Sequence, residues 1–266
     1  PEGWKAIRSW FGGEGGRVVV ASPSPPPPPR YPPVERVAEV WGMLGQHAPV
    51  ESRLAVIGWL RSRALDAAEV SGWDLVRVSG PSEKVLEGPW GAIRLPGWPY
   101  LAVLPLVDST GLLRSVLVRA VAPVDGPKSR ALGGWERVGL VLADPVALAL
   151  LRRSGAEAGE APWEGRRVSW SGIVHICEGE PDFLTMAAHP GRLEVHTSGA
   201  LRSYAVLAFV GSEGLPEDVA ARIPKEAEVV IWPHQDRNGA GEKAADRTIS
   251  RLSHVKNIKK PGKNYE

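Results

Sequence analysis

The chain has 266 residues, 43% of them hydrophobic and 23% charged, an ordinary balance for a globular protein of one large or two modest domains. A net charge of +2 and a pI near 8.8 neither require nor exclude a nucleic-acid partner. A single cysteine, Cys177, excludes an intrachain disulfide and a cysteine-rich zinc module, and no apolar run reaches the roughly 18 residues of a membrane span, so a cytoplasmic protein with no membrane partner is expected.

The chain opens Pro1-Glu2-Gly3-Trp4, with no signal-peptide pattern and no initiator Met, which suggests a piece of a longer protein or a processed one. Trp4, Ile7, Trp10 and Phe11 fit a short amphipathic turn or two of helix. Pro23, Pro25 to Pro29, Pro32 and Pro33 then favour an extended linker, so residues 1–33 read as a remnant of another module plus linker. Val34, Val37, Val40, Trp41 and Leu44 recur at helical spacing, and Glu51 to Leu65 predicts a second helix with Leu54, Ile57, Trp59 and Leu60 among its apolar positions. Tyr100 to Val107, the turn Asp108-Ser109-Thr110-Gly111 and Leu112 to Val121 predict a β-hairpin.

From Gly139 the pattern changes. Leu140 to Ala143 is a short apolar strand, and Asp144-Pro145 starts a helix to about Arg152, with Asp as N-cap and Pro at the first helical position. Ile173 to Cys177, Ala205 to Val210 and Val229 to Trp232 are further strands. Pro181 to Ala188, Pro216 to Arg222 and Gly241 to Leu252 are helices. This alternation predicts an α/β domain over residues 138–266, a parallel sheet with helices on both faces, preceded by a mixed α+β subdomain over 34–137. The tail carries Lys256, Lys259, Lys260 and Lys263 against no acid between His254 and Lys263; it reads as a solvated tail or as a phosphate-facing edge. Eleven Trp residues offer stacking surfaces in principle, but most are expected in the core or at interfaces, so none is singled out as a base platform.

Two strand-to-helix junctions hold the informative residues: Ile176-Cys177-Glu178-Gly179-Glu180-Pro181-Asp182 and Trp232-Pro233-His234-Gln235-Asp236-Arg237-Asn238-Gly239-Ala240-Gly241. Each places an acid just past a buried strand, and in open α/β sheets the ligand site lies beyond the carboxyl ends of the strands. Adjacent strands lie about 4.8 Å apart, so acids at two such ends can share one divalent ion. Oxygen ligands with open positions suit Mg²⁺ and phosphoryl transfer. Taken singly, Asp182 could simply complement a helix dipole and Glu180 could be plain surface.

The Glu178-Gly179-x-x-Asp182 junction resembles the first motif of Toprim domains, and His234-x-Asp236 followed by Asn-Gly-Ala-Gly resembles the second. The resemblance implies Glu178 and Asp236 as catalytic metal ligands, with Asp182 as a further acid. The usual second motif is Asp-x-Asp. His234 replaces the first acid, as in some phage and plasmid-borne primase-like Toprim proteins, and is either a ligand or a loop residue outside the metal shell. Losing that charge predicts weaker Mg²⁺ binding and a relative gain with Mn²⁺, since imidazole suits Mn²⁺ better. Glu180 could supply part of the missing charge.

Tyr100 to Val121 resembles the hairpin of DnaG-type primases, with Arg119 at its terminal Arg, and Gly126-Pro127-Lys128-Ser129 resembles their Pro-Lys segment. Glu213 to Pro224 resembles its counterpart in phage-type relatives. Lys260-Pro261-Gly262-Lys263-Asn264-Tyr265-Glu266 resembles the third primase Toprim segment, with Asn264 where an Asp is expected. The family implies a Mg²⁺- or Mn²⁺-dependent RNA polymerase that makes primers from NTPs on a single-stranded DNA template, with a replicative helicase as a further partner. Arg119, Lys128 and Lys243 would face nucleotide or DNA phosphates; each is otherwise a surface cation. A Toprim nuclease and a non-catalytic nucleic-acid-binding module are the alternatives. A topoisomerase would need an attacking Tyr, and none sits in a recognisable motif.

Overall fold

The computed structural model describes residues 31–46, 48–80, 85–86, 93–95, 97–132, 135–152, 161–163, 166–188, 194–195, 201–234, 236 and 239–261. The expected remnant at residues 1–20, most of the Pro-rich linker and the segment from Gly262 to Glu266 lie outside the described residues.

Three helices come first. They are α1 (Val34–Met43), α2 (Val50–Arg61) and α3 (Ala67–Gly72). The second ends short of the expected Leu65, because the chain tightens after Arg61 and Ala64 turns into left-handed backbone at φ 57°. The third was not expected from the sequence; Asp66 caps it, accepting from the Ala68 N–H at 2.7 Å.

Strands β1 (Arg77–Val78), β2 (Val85–Leu86), β3 (Ile93–Arg94), β4 (Tyr100–Val107), β5 (Leu113–Ala120) and β6 (Ser129–Ala131) follow. The predicted hairpin is β4 and β5. Asp108 shapes its turn, accepting from the Thr110 and Leu112 N–H groups at 2.9 and 3.2 Å.

The second half contains β7 (Val141–Ala143), α4 (Pro145–Arg152), β8 (Ala161–Trp163), β9 (Arg166–Glu178), α5 (Glu180–Ala187), β10 (Glu194–Val195), β11 (Leu201–Phe209), α6 (Glu217–Ala220), β12 (Glu228–Trp232), α7 (Ala240–Arg251) and β13 (Asn257–Lys259). Among the described residues one sheet runs β13-β12-β9-β11-β7-β4-β5-β6. It is parallel from β13 to β11 and antiparallel from β11 onward. Strand β7 is therefore not part of the parallel set, although the strand–helix alternation grouped it there.

Side chains alternate across this sheet. Val174 and Ile176 of β9 pack on the side covered by α4, α6 and α7; Cys177 packs on the side covered by α5. Helices thus cover both faces, as the α/β reading expected. A third cluster seats α1, through Val37, Val40 and Leu44, on Val103, Val116 and Val118 of the hairpin. No helix among the described residues is long and apolar enough to cross a membrane.

The tail is in part an edge strand. Residues Asn257–Lys259 form edge strand β13 beside β12, and Lys259 lies 2.5 Å from Glu228. Lys260 lies 2.5 Å from Glu242 and 2.8 Å from Asp246. The acids that answer these lysines are remote in sequence, so a count over the tail alone could not see them. Lys256 and Lys259 are exposed.

Candidate metal and phosphate site

Strand β9 is central to the parallel set, and its last residue, Glu178, lies opposite Phe209 of β11. On the other side Cys177 lies opposite Trp232, the final residue of β12. The two strand tips are therefore neighbours, one holding Glu178 and the other leading through Pro233 to His234 and Asp236. The turn from β9 into α5 runs through Gly179 at φ 79°, ψ 167°, backbone essentially reserved for glycine. Its N–H bonds back to the Phe209 carbonyl at 3.0 Å.

At the second tip, Asp236 accepts from the Gly241 N–H at 3.1 Å, so one carboxylate oxygen caps the first turn of α7. Gly241 has no room for a side chain: a Cβ there would stand 2.2 Å from the His234 carbonyl oxygen. Helix α7 approaches closely because its buried positions are Gly241, Ala244, Ala245 and Thr248.

The two junctions meet through His234, whose Nδ1 stands 3.5 Å from Asp182 Oδ2. The other oxygen of Asp236, Oδ1, and Glu178 Oε2 are buried with no hydrogen-bond partner. Burial raises the Glu178 carboxyl above its ordinary pKa; His234 opposes the shift, while Asp236 and Asp182 add to it. Burial likewise raises Asp182, against the pull of His234 and Arg63 and with a push from Glu180. Acids gathered in this way favour the binding of a cation.

Among the described residues no three His, Cys, Asp or Glu side chains form a ready-made metal cage. The donor set nonetheless fits Mg²⁺ or Mn²⁺. Mg²⁺ is ordinarily held by one or two carboxylates together with waters and substrate phosphates, and two orphaned carboxylate oxygens stand at this point.

Other candidates go elsewhere. Glu180 is only 3% exposed and Arg119 only 8%, and Arg119 Nη1 donates to Glu180 Oε1. Glu180 is thus spoken for by a cation, and Arg119 is withdrawn from solvent instead of lining an open groove. Lys128 and Lys243 are exposed. The sequence reading also did not single out Arg63, an exposed cation just past α2 that lies over the Trp59 ring at 5.4 Å and adds only the last of the pulls on Asp182. Nothing in its local sequence pointed there; only the packing of α2 near α5 does so. Cys177, next to Glu178, is fully buried and its thiol is pushed up by burial, which makes it a core residue and no nucleophile. A cavity of about 520 Å³ between α2, α3 and β1 shares no residue with the acids.

No protein-family profile matches the sequence, and no curated protein sequence matches it. Solved structures do. The E. coli primase catalytic core aligns over 88% of this chain and 73% of its own at 11% identity, with a TM-score of 0.54. A DnaG primase catalytic domain bound to single-stranded DNA aligns over 88% and 74% at 12% identity, TM-score 0.55. A DNA primase domain from Pseudomonas aeruginosa aligns over 88% and 73% at 13% identity, TM-score 0.51. The chain has the fold of DnaG-type primase catalytic cores.

Proposed function

We propose that this chain is the catalytic core of a DNA primase, joining NTPs into short RNA primers on single-stranded DNA. The observation that carries the reading is the pair of buried, unpartnered oxygens, Glu178 Oε2 and Asp236 Oδ1, at adjacent strand tips of a primase-core fold. A buried carboxylate oxygen without a partner is costly, and a divalent cation at these tips removes that cost.

Glu178 and Asp236 would hold Mg²⁺ or Mn²⁺, with Asp182 and His234 beside them. When bound, such an ion supplies charge neutralisation at the reacting phosphate and acidifies the attacking hydroxyl. In the reaction a bond forms between the primer 3′ oxygen and the α-phosphorus, the bond to the pyrophosphate leaving group breaks, and the hydroxyl proton passes to solvent water. Arg63, Lys128 and Lys243 are exposed cations suited to template or triphosphate oxygens, chiefly by charge. Residues 34–137 and 138–266 would be the two subdomains of this core. A replicative helicase as partner rests on the resemblance to primases alone.

The test is primer synthesis from labelled NTPs on single-stranded DNA, with Mg²⁺ and Mn²⁺ compared. Glu178→Ala and Asp236→Asn are each expected to lower product by about 100-fold or more, the scale of losing a charge-stabilising group. Product unchanged in Asp236→Asn removes the proposed site. Metal-dependent strand cleavage without incorporation would favour a nuclease. DNA binding without synthesis in the parent, persisting in Glu178→Ala, would favour a non-catalytic module.

A further inference from the structure

We infer that the buried Arg119–Glu180 pair is a clamp that positions the acids of the metal site, so that Arg119 works through Glu180 instead of on a phosphate. The inference rests on the reading of Glu178 and Asp236 as metal ligands. Glu180 is the first residue of α5, two beyond Glu178 and two before Asp182. A carboxylate in the first turn of a helix is already favoured by the helix dipole and can stay in water. This one is 3% exposed instead, and it meets a guanidinium that is 8% exposed.

Removing two charges from water costs more than an equivalent apolar contact would, and breaking such a pair strands the remaining charge. What the arrangement supplies is geometry. The turn it holds is otherwise fixed by the Gly179 N–H bond to the Phe209 carbonyl and by buried Phe183 and Leu184. Its N-cap is Gly179, in glycine-only backbone, and no side chain caps the helix.

Arg119 reaches this turn because of strand alternation. It lies two residues after Leu117, on the sheet face that also carries Phe183 and Leu184 of α5. The pair therefore ties the hairpin of the first half to the junction that carries Glu178 and Asp182. Arg119 Nε is also buried and has no hydrogen-bond partner. Nη1 is committed to Glu180, so an anion drawing on that nitrogen would have to displace the carboxylate.

The test is calorimetric titration of the intact chain with Mn²⁺, alongside titration with single-stranded DNA at several salt concentrations. Arg119→Met is expected to weaken Mn²⁺ binding by about tenfold or more, the effect of losing an outer partner of a metal ligand. Glu180→Gln, which keeps an acceptor oxygen, is expected to lose less. DNA affinity and its salt slope should stay at the parent value in both.

Where Arg119→Met fails to fold, the double variant Arg119→Met/Glu180→Met leaves no stranded charge and keeps the question open to measurement. It should fold and show the same Mn²⁺ loss. Parent-like Mn²⁺ affinity in the folded double variant overturns the clamp. So does unchanged Mn²⁺ binding in Arg119→Met with a salt slope reduced by about one, the signature of a lost phosphate contact. A parent chain that binds no Mn²⁺, or binds it unchanged after Glu178→Ala and Asp236→Asn, takes down the metal reading and the clamp with it. Loss in those two variants, with none at Arg119 and Glu180, overturns the clamp alone.

Discussion

His234 stands where its imidazole can serve Asp182 or a cation, since its Nδ1 is 3.5 Å from Asp182 Oδ2 and its side chain is open to solvent. A carboxylate in its place would add a negative charge and an oxygen ligand, which favours Mg²⁺ over softer-site ions. His234→Asp is therefore expected to lower the ratio of Mn²⁺-supported to Mg²⁺-supported synthesis by about tenfold, the worth of one charge-assisted contact. An unchanged ratio would place His234 outside the metal shell. A second histidine carries a different prediction. His175, inside the sheet, accepts from the Trp232 indole N–H at 3.0 Å and lies edge-on to Tyr204. Burial lowers its pKa from 6.5 to about 4. Above about pH 6.5 the imidazole is neutral whether folded or unfolded, so this group leaves stability unaffected. Between about 6.5 and 4 the unfolded chain binds a proton that the folded chain refuses, so stability falls with falling pH, by up to about 3 kcal/mol. Urea unfolding of the parent and His175→Phe between pH 7.5 and 4.5 checks this. The two curves of stability against pH should differ in slope across that window, and parallel curves would rule the histidine out as their source.

Helix α7 is set by its small residues more than by its apolar ones, and Gly241 is the tightest point. Gly241→Ala puts a methyl group against the His234 carbonyl, where a Cβ would stand at 2.2 Å. The helix start must move, and the Asp236 cap at 3.1 Å is lost or lengthened. The expected cost is about 2–3 kcal/mol, the sum of overpacking and a weakened hydrogen bond from the first turn to Asp236. It is readable as a lower urea midpoint, together with weaker Mn²⁺ binding through the displaced Asp236. A silent substitution would mean that the approach of α7 to the loop is looser than described. The same elements show what the sequence could and could not reveal. Strands such as Ile173 to Cys177 and Val229 to Trp232 were legible because central strands read as apolar runs, interrupted here only by His175. The Glu178 and Asp236 junctions were legible because glycine and acid stand together where a strand ends. Strand β13 was not: it is an edge strand with exposed Asn257 and Lys259, and only Ile258 points inward. The fate of Arg119 was equally hidden. An arginine at a strand end reads the same whether it meets a phosphate or, as here, a glutamate 61 residues on. Arg63 needed the tertiary path of α2 to come near Asp182.

The hairpin and the parallel strands belong to one sheet, joined where Val107 of β4 pairs with Val141 of β7. That seam is short in backbone terms, so side chains carry most of the union. Leu104, Leu106 and Leu117 of the hairpin share a cluster with Phe183 and Leu184 of α5 and with Val206 and Ala208 of β11. Separating residues 34–137 from 138–266 would expose that cluster on both sides. Apolar burial contributes roughly 1.5–3 kcal/mol per large side chain, and a net stability of only about 5–15 kcal/mol is ordinary for a domain, so neither half can spare the contact. The whole is therefore expected to unfold in one cooperative step. Cys177 makes this measurable: it is the sole thiol, it is fully buried, and it lies in the shared cluster beside the hairpin leucines. Its labelling by a thiol reagent in rising urea should follow the same midpoint as far-UV circular dichroism and as the tryptophan fluorescence, eight of whose eleven sources lie before residue 138. Labelling that rises well before the tryptophan signal changes would mean that the second half opens alone. The Arg119–Glu180 pair would then join two units that fold separately, and its hold on the acids would have to act across an interface instead of within one core.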